Sequence, residues 1–205
     1  MSVLVDANVL YSRTLRDWLA LLYLQPGNEM FAVRWTDDIM AEFHYHLRKN
    51  NPTFGDAQVG GIRRRLESVF ATGRISGYEI DETITYPDPG DAHVHCAALH
   101  AGVDILLTRN VGDFTQWDDL PYEVFDCDEF FQLVDDSAPD LVRAVTGEQL
   151  VYHLRRSATG SISLPAMLRA AGAPAFGERV RRHVRSLDID TLLVASSPPA
   201  VTDGR

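Results

Sequence analysis

The sequence of 205 residues has little cysteine and no long apolar run. Cys96 and Cys127 are its two cysteines, and their spacing matches neither a disulfide framework nor a zinc motif. We expect both to be buried thiols in a reducing cytoplasm. No apolar segment approaches the roughly 18 residues of a membrane span, and the first residues lack the basic segment of a signal peptide. The sequence therefore predicts a cytoplasmic protein with no membrane partner.

Positive charge is also scarce, with 19 basic against 29 acidic residues and a formal net charge of −10 at pH 7. This balance argues against a protein that coats nucleic acid through bulk electrostatics. The C-terminal part differs, because residues 143–185 carry eight arginines and only two acids. That segment either binds RNA backbone or an acidic partner, or is simply a solvated helix face. The candidate contacts are Arg179, Arg181, Arg182 and Arg185, with Arg109 as a further candidate nearer the N-terminus.

Two common kinds of catalytic site are missing as well. No glycine-rich segment has the spacing of a phosphate-binding loop, and no serine or cysteine has a recognisable base for covalent catalysis. The pairs His44/His46 and His93/His95 are each two positions apart on predicted helices. Members of such a pair point about 200° apart and cannot share one metal ion. A zinc site is therefore not expected, and His93 or His95 is at most a substrate contact.

Short apolar runs alternate with helical periodicities over residues 1–134. Predicted strands cover residues 3–5, 31–33, 105–107 and 124–125, and predicted helices cover residues 15–23, 37–47, 56–71, 88–100 and 128–134. This alternation is typical of an α/β fold with a mainly parallel central sheet. From residue 135 only helical patterns follow. We therefore expect an α/β domain over residues 1–134, a helical extension over residues 135–190 and a flexible tail over residues 191–205.

Five polar residues stand where the predicted sheet would bring them together. Asp6 follows the first strand, Asn110 and Asp113 follow the strand 105–107, Asp91 lies in the first turn of a helix, and Glu42 lies on the helix after the second strand. Ligands bind at the carboxyl ends of parallel strands. Clustered carboxylates repel one another unless a cation is present, and Mg²⁺ or Mn²⁺ prefers such oxygen ligands. Taken singly, each residue is equally explained as a helix cap, a turn residue or a surface charge.

The segments that hold these residues resemble the motifs of PIN domains. The segment VLVDANVL at positions 3–10 resembles the first motif, and Glu42 in DIMAEF at positions 38–43 is similar to the second. The segments DPGDAHV at positions 88–94 and TRNVGDF at positions 108–114 look like the third and fourth motifs, in the correct order. The resemblance covers about residues 2–134. It implies a three-layer α/β fold around a mainly parallel sheet.

Among PIN proteins the chain resembles VapC toxins of type II toxin–antitoxin pairs. That resemblance implies a Mg²⁺-dependent endoribonuclease that a cognate antitoxin blocks, with Asp6, Glu42, Asp91 and Asp113 as metal ligands. It places Asn110 beside the metal; because some members carry an acid there, either Asn110 or Asp113 completes the site. A second copy of the chain is a further candidate partner. The alternatives are a housekeeping RNA-processing enzyme, a DNA nuclease, a catalytically silent PIN module, or an α/β domain whose acids are caps and surface charges.

Overall fold

The computed structural model describes residues 1–86, 88–114, 119–157 and 162–195. Its centre is a five-stranded sheet with the strand order β3-β2-β1-β4-β5, in which every neighbouring pair is parallel. The strands are β1 (Ser2–Val5), β2 (Ala32–Thr36), β3 (Arg74–Ile75), β4 (Ile105–Leu107) and β5 (Glu123–Phe125). The predicted α/β class with a parallel sheet is confirmed, and β3 is a strand that the sequence patterns did not predict.

Helices cover both faces of the sheet and form the C-terminal part. They are α1 (Ala7–Tyr11), α2 (Arg13–Leu24), α3 (Asp37–Asn50), α4 (Asp56–Val69), α5 (Ala92–Ala101), α6 (Cys127–Ser137), α7 (Pro139–Leu154), α8 (Leu164–Ala171), α9 (Pro174–Arg185) and α10 (Ile189–Ala195). The central strand β1 is apolar on both faces, with Val3, Leu4 and Val5 all fully buried, as expected for a parallel strand covered by helices on both sides. In the described residues no helix has the length and apolarity that crossing a bilayer requires.

Side-chain caps fix where the helices near the sheet begin. The Thr36 hydroxyl accepts a hydrogen bond from the Ile39 backbone N–H at 3.1 Å, so α3 starts at Asp37 as predicted. Helix α6 starts one residue earlier than predicted, because Asp126 and Glu129 form a reciprocal capping box, and it ends three residues later than predicted. Both helices thus leave the carboxyl edge of the sheet in defined directions.

The predicted helical segment does begin at Asp88, but its first turn is 3-10 and not α-helical. The Asp88 carboxylate accepts a hydrogen bond from the Gly90 backbone N–H at 2.8 Å, two residues ahead, so the chain first closes a 3-10 turn over Pro89–Asp91. Helix α5 begins only at Ala92, and Asp91 precedes it without making a side-chain capping bond. The Asp91 carboxyl is therefore not used as a helix cap.

The helical extension packs directly on the sheet domain. Phe176 of α9 meets Trp18 of α2 edge-on at a centroid distance of 5.1 Å and stacks obliquely on Phe131 of α6 at 5.0 Å. All three side chains are buried, so the apolar core is continuous between the two parts. Both cysteines are free and buried, as expected. Helix α10 includes residues 191–195 of the predicted tail, and residues 196–205 lie outside the described residues.

Candidate active site

Asp6 sits at the carboxyl end of the central strand, with its side chain only 3% exposed. Its backbone N–H donates to the Leu107 carbonyl at 3.0 Å, which ties the end of β1 to the end of β4. Its Oδ2 atom accepts hydrogen bonds from Asn8 Nδ2 at 2.6 Å and from Thr108 Oγ1 at 2.7 Å. Burial raises the pKa of Asp6, and the Thr108 hydrogen bond opposes that effect by stabilising the carboxylate.

Asn8 and Thr108 are the site residues that sequence reasoning missed. Asn8 Nδ2 also donates to Thr108 Oγ1 at 3.0 Å, and Asn8 Oδ1 accepts from the Arg109 backbone N–H at 2.9 Å. The Asn110 backbone N–H donates to Thr108 Oγ1 at 3.1 Å. The two side chains thus join the segment after β1 to the segment after β4. Their positions inside the first and fourth motifs are the signal that could have found them.

Glu42 projects from α3 and is held by residues of two other helices. The Tyr11 hydroxyl donates to Glu42 Oε1 at 3.0 Å, and His93 Nε2 lies 3.5 Å from Glu42 Oε2. The hydrogen bond with His93 holds the pKa of Glu42 below its ordinary value, against burial, which raises it. Burial and the nearby Glu42 carboxylate raise the pKa of Tyr11, so its hydroxyl remains a donor. Glu42 is therefore an ionised carboxylate in a fixed position.

The carboxyl of Asp91 is influenced by four other acids of the chain. Burial, and after it the negative charges of Asp6, Asp88, Asp113 and Glu42 in that order, raise its pKa to about 6. Its Oδ2 atom is buried and has no hydrogen-bond partner. An unpartnered buried oxygen among like charges is destabilising unless something positive meets it. The four predicted metal ligands thus act on one another electrostatically in the folded chain.

The donors of this cluster fit a hard divalent cation. They are carboxylate oxygens, and one of them, Asp91 Oδ2, is buried without a partner. In the ranges that the structure describes, no three His, Cys, Asp or Glu side chains form a ready-made metal cage. Mg²⁺ is usually held by one or two carboxylates and keeps several waters, so it does not need such a cage. The remaining predicted residue, Asn110, is exposed beside the cluster.

The structure pairs two of the candidate arginines of α9 with the protein's own acids. Arg179 Nη1 lies 3.3 Å from Asp135 Oδ2, and Arg179 Nη2 donates to Asp136 at 3.1 Å. Arg181 Nη1 lies 3.0 Å from Glu178 Oε2. Arg182 and Arg185 are exposed on the same helix. The basic excess counted along the sequence is therefore smaller on the folded surface.

The family model described as PIN domain matches residues 2–112, which is more than half of the chain. No curated protein and no solved structure gives a significant match. The chain belongs to the PIN domain family. Members of this family are in general nucleases that use divalent metals. The match includes Asp6, Glu42, Asp91 and Asn110, ends one residue before Asp113, and leaves the helical extension outside.

Proposed function

We propose that this member of the PIN domain family is a Mg²⁺-dependent endoribonuclease and the toxin of a type II toxin–antitoxin pair. Asp6, Glu42, Asp91 and Asp113 would hold Mg²⁺ or Mn²⁺, with Asn110 beside them. The observation that carries the proposal is the state of Asp91, whose carboxyl is crowded by four other acids and has one buried oxygen without a partner. Such an arrangement is costly in an ordinary domain and useful in a metal site.

Each acid has a distinct part in this proposal. The hydrogen bonds from Asn8 and Thr108 keep Asp6 oriented and favour its ionised form. Tyr11 and His93 likewise orient Glu42 and favour its ionised form. Asp91 supplies the free oxygen. When bound, the metal ion polarises a phosphodiester and lowers the pKa of the attacking water.

The toxin role is supported by the resemblance of the chain to VapC toxins. That resemblance comes through its PIN motifs, above all the pair DPGD at positions 88–91 and TRNVGDF at positions 108–114. A toxin of this kind needs a partner that silences it. The expected partner is a cognate antitoxin. A homodimer is the further expected assembly.

A cleavage assay tests the proposed chemistry. Purified wild type is incubated with single-stranded RNA and with DNA of the same sequence, each with Mg²⁺, with Mn²⁺ and with EDTA. We expect RNA cleavage that requires the metal and is lost in Asp6→Ala, while the control Glu79→Gln, which alters an exposed acid, keeps it. Cleavage of DNA alone would make the protein a DNA nuclease. Absence of any cleavage by a protein that binds the metal would make it a silent module.

A further inference from the structure

A cleft of about 580 Å³ opens directly beside the acid cluster. Helices α2, α3, α4 and α7 supply most of its walls, and Tyr11 at the end of α1 supplies the side nearest the acids. The Tyr11 hydroxyl that donates to Glu42 Oε1 therefore belongs to a side chain that lines both the cleft and the candidate active site.

The cleft carries positive charge in a protein that is acidic as a whole. Its lining includes Arg13, Arg16 and Arg65 against the single acid Asp17. Asp17 is shared, because its carboxylate lies 3.5 Å from Arg13 Nε and 3.8 Å from Arg16 Nε. The Arg13 side chain is 69% exposed, and Arg65 is exposed as well. Two guanidinium groups are thus open to an anionic ligand.

An aromatic side chain from the extension completes the wall. The guanidinium carbon of Arg156 lies over the Tyr152 ring, 3.8 Å from its centroid, so the two groups form a cation–π stack. The Tyr152 hydroxyl accepts a hydrogen bond from Arg13 Nη2 at 3.2 Å, which links the stack to α2. Tyr152 remains 38% exposed. Because α7 lies outside residues 2–112, this wall is an addition to the part of the chain that the family model matches.

We propose that this cleft, which we call the Tyr152 cleft, binds the single-stranded RNA substrate next to the acids. Arg13 and Arg65 would contact phosphates, and the Tyr152–Arg156 stack would receive a base. Single-stranded RNA is recognised by this combination of guanidinium groups along the backbone and planar groups for the unstacked bases. The proposal rests on the proposed function, since it names where that enzyme holds its substrate. It also moves the expected RNA contacts away from α9, where Arg179 is paired internally.

Binding measured without turnover tests the cleft. Fluorescently labelled single-stranded RNA of mixed sequence is titrated with each protein in EDTA at several salt concentrations. For Arg13→Gln/Arg65→Gln we expect the slope of log K against log salt to fall by about 1.4, that is about 0.7 for each phosphate that an arginine no longer neutralises. For Tyr152→Leu we expect affinity to fall between about 5-fold and 150-fold, and for Tyr152→Phe we expect it to stay near wild type.

Arg64→Gln is the matched control, because Arg64 is an exposed neighbour on α4 that is not among the residues lining the cleft. It should bind RNA like the wild type. A loss in Arg64→Gln as large as that in Arg13→Gln/Arg65→Gln would overturn the proposal. So would unchanged RNA binding in the cleft variants. A wild type that never cleaves RNA but binds it through Arg13, Arg65 and Tyr152 would refute the proposed function and leave the cleft standing. If the wild type cleaves RNA with Mg²⁺ and the cleft variants keep its KM for RNA, the proposed function stands and the cleft proposal is refuted.

Discussion

Replacing Asp91 by asparagine should stabilise the metal-free protein. Burial and four neighbouring acids raise the pKa of the Asp91 carboxyl to about 6. The folded protein therefore binds this proton more tightly than the unfolded chain does, and stability falls as pH rises from about 4 through 6. Two pKa units correspond to about 3 kcal/mol; because the side chain is partly exposed, we expect about 1–2 kcal/mol. Asp91→Asn should gain that amount above about pH 6, and nothing below the ordinary pKa of an aspartate.

Adding Mg²⁺ should reverse the order of stability, so that the wild type becomes more stable than Asp91→Asn. A ligand that binds only the folded state stabilises it by RT ln(1 + [L]/Kd), which is about 2.7 kcal/mol when the ligand is at 100 times Kd. Wild type should gain this stabilisation from Mg²⁺, and Asp91→Asn should gain much less because it lacks the unpartnered carboxylate oxygen.

Urea denaturation followed by fluorescence of the three tryptophans measures both effects, in EDTA and in saturating Mg²⁺. Glu79→Gln, which removes an exposed acid, is the control and should behave as wild type. If Asp91→Asn is no more stable than wild type in EDTA and gains equally from Mg²⁺, Asp91 is not a metal ligand under electrostatic strain.

Three further outcomes follow from the same contacts. Expression of wild type without an antitoxin should arrest bacterial growth, and Asp6→Ala at the same soluble level should not; harmless wild type would contradict the toxin role. Thr108→Val should raise the pKa of Asp6 further, since it removes the 2.7 Å hydrogen bond to Oδ2, so isothermal titration should show Mg²⁺ binding moved to higher pH. Asp135→Ala should lower stability by about 2–4 kcal/mol, because it leaves the His183 ring, 2.6 Å away, without its partner; its Mg²⁺-induced stabilisation should stay that of wild type.

The strands that were predicted correctly are those whose own residues form a buried apolar run. Ile105–Leu107 is a fully buried apolar run, and the strand occupies the predicted residues. Strand β3 is different, because it has two residues, of which only Ile75 is buried, and it exists by pairing with the end of β2. Helix α1 has five residues and begins at a cap made by the Asp6 carboxylate. Both β3 and α1 are too short to show a periodic pattern of apolar residues. Contacts with residues elsewhere in the chain determine them, and a local sequence pattern does not reveal such contacts.

The same distinction applies to the candidate site. Asp6, Asp91 and Asp113 could be proposed because each follows a predicted strand or opens a predicted helix, and the parallel order of the strands brings those ends together. Glu42 lies inside α3 and could be proposed from its place on the helix after the second strand and from the resemblance of its segment to a PIN motif. The groups that hold the acids could not, since Thr108 reaches Asp6 across 102 positions and His93 reaches Glu42 from another helix. Their roles depend on distances that only the folded chain defines.

Charge counted along the sequence overstates the free positive charge of α9 for a related reason. The arginines of α9 form a run, but Arg179 meets Asp135 and Asp136, which lie 44 and 43 positions earlier on α6. That pairing ties α9 to α6 and neutralises positive charge at the surface. Tyr152 and Arg13 are 139 positions apart, and no run connects them, yet the packing of α7 on α2 places them in one cleft. The net charge of a segment therefore predicts an RNA-binding face only after its internal ion pairs are subtracted. What distinguishes the Tyr152 cleft from α9 is the exposed aromatic ring beside its arginines.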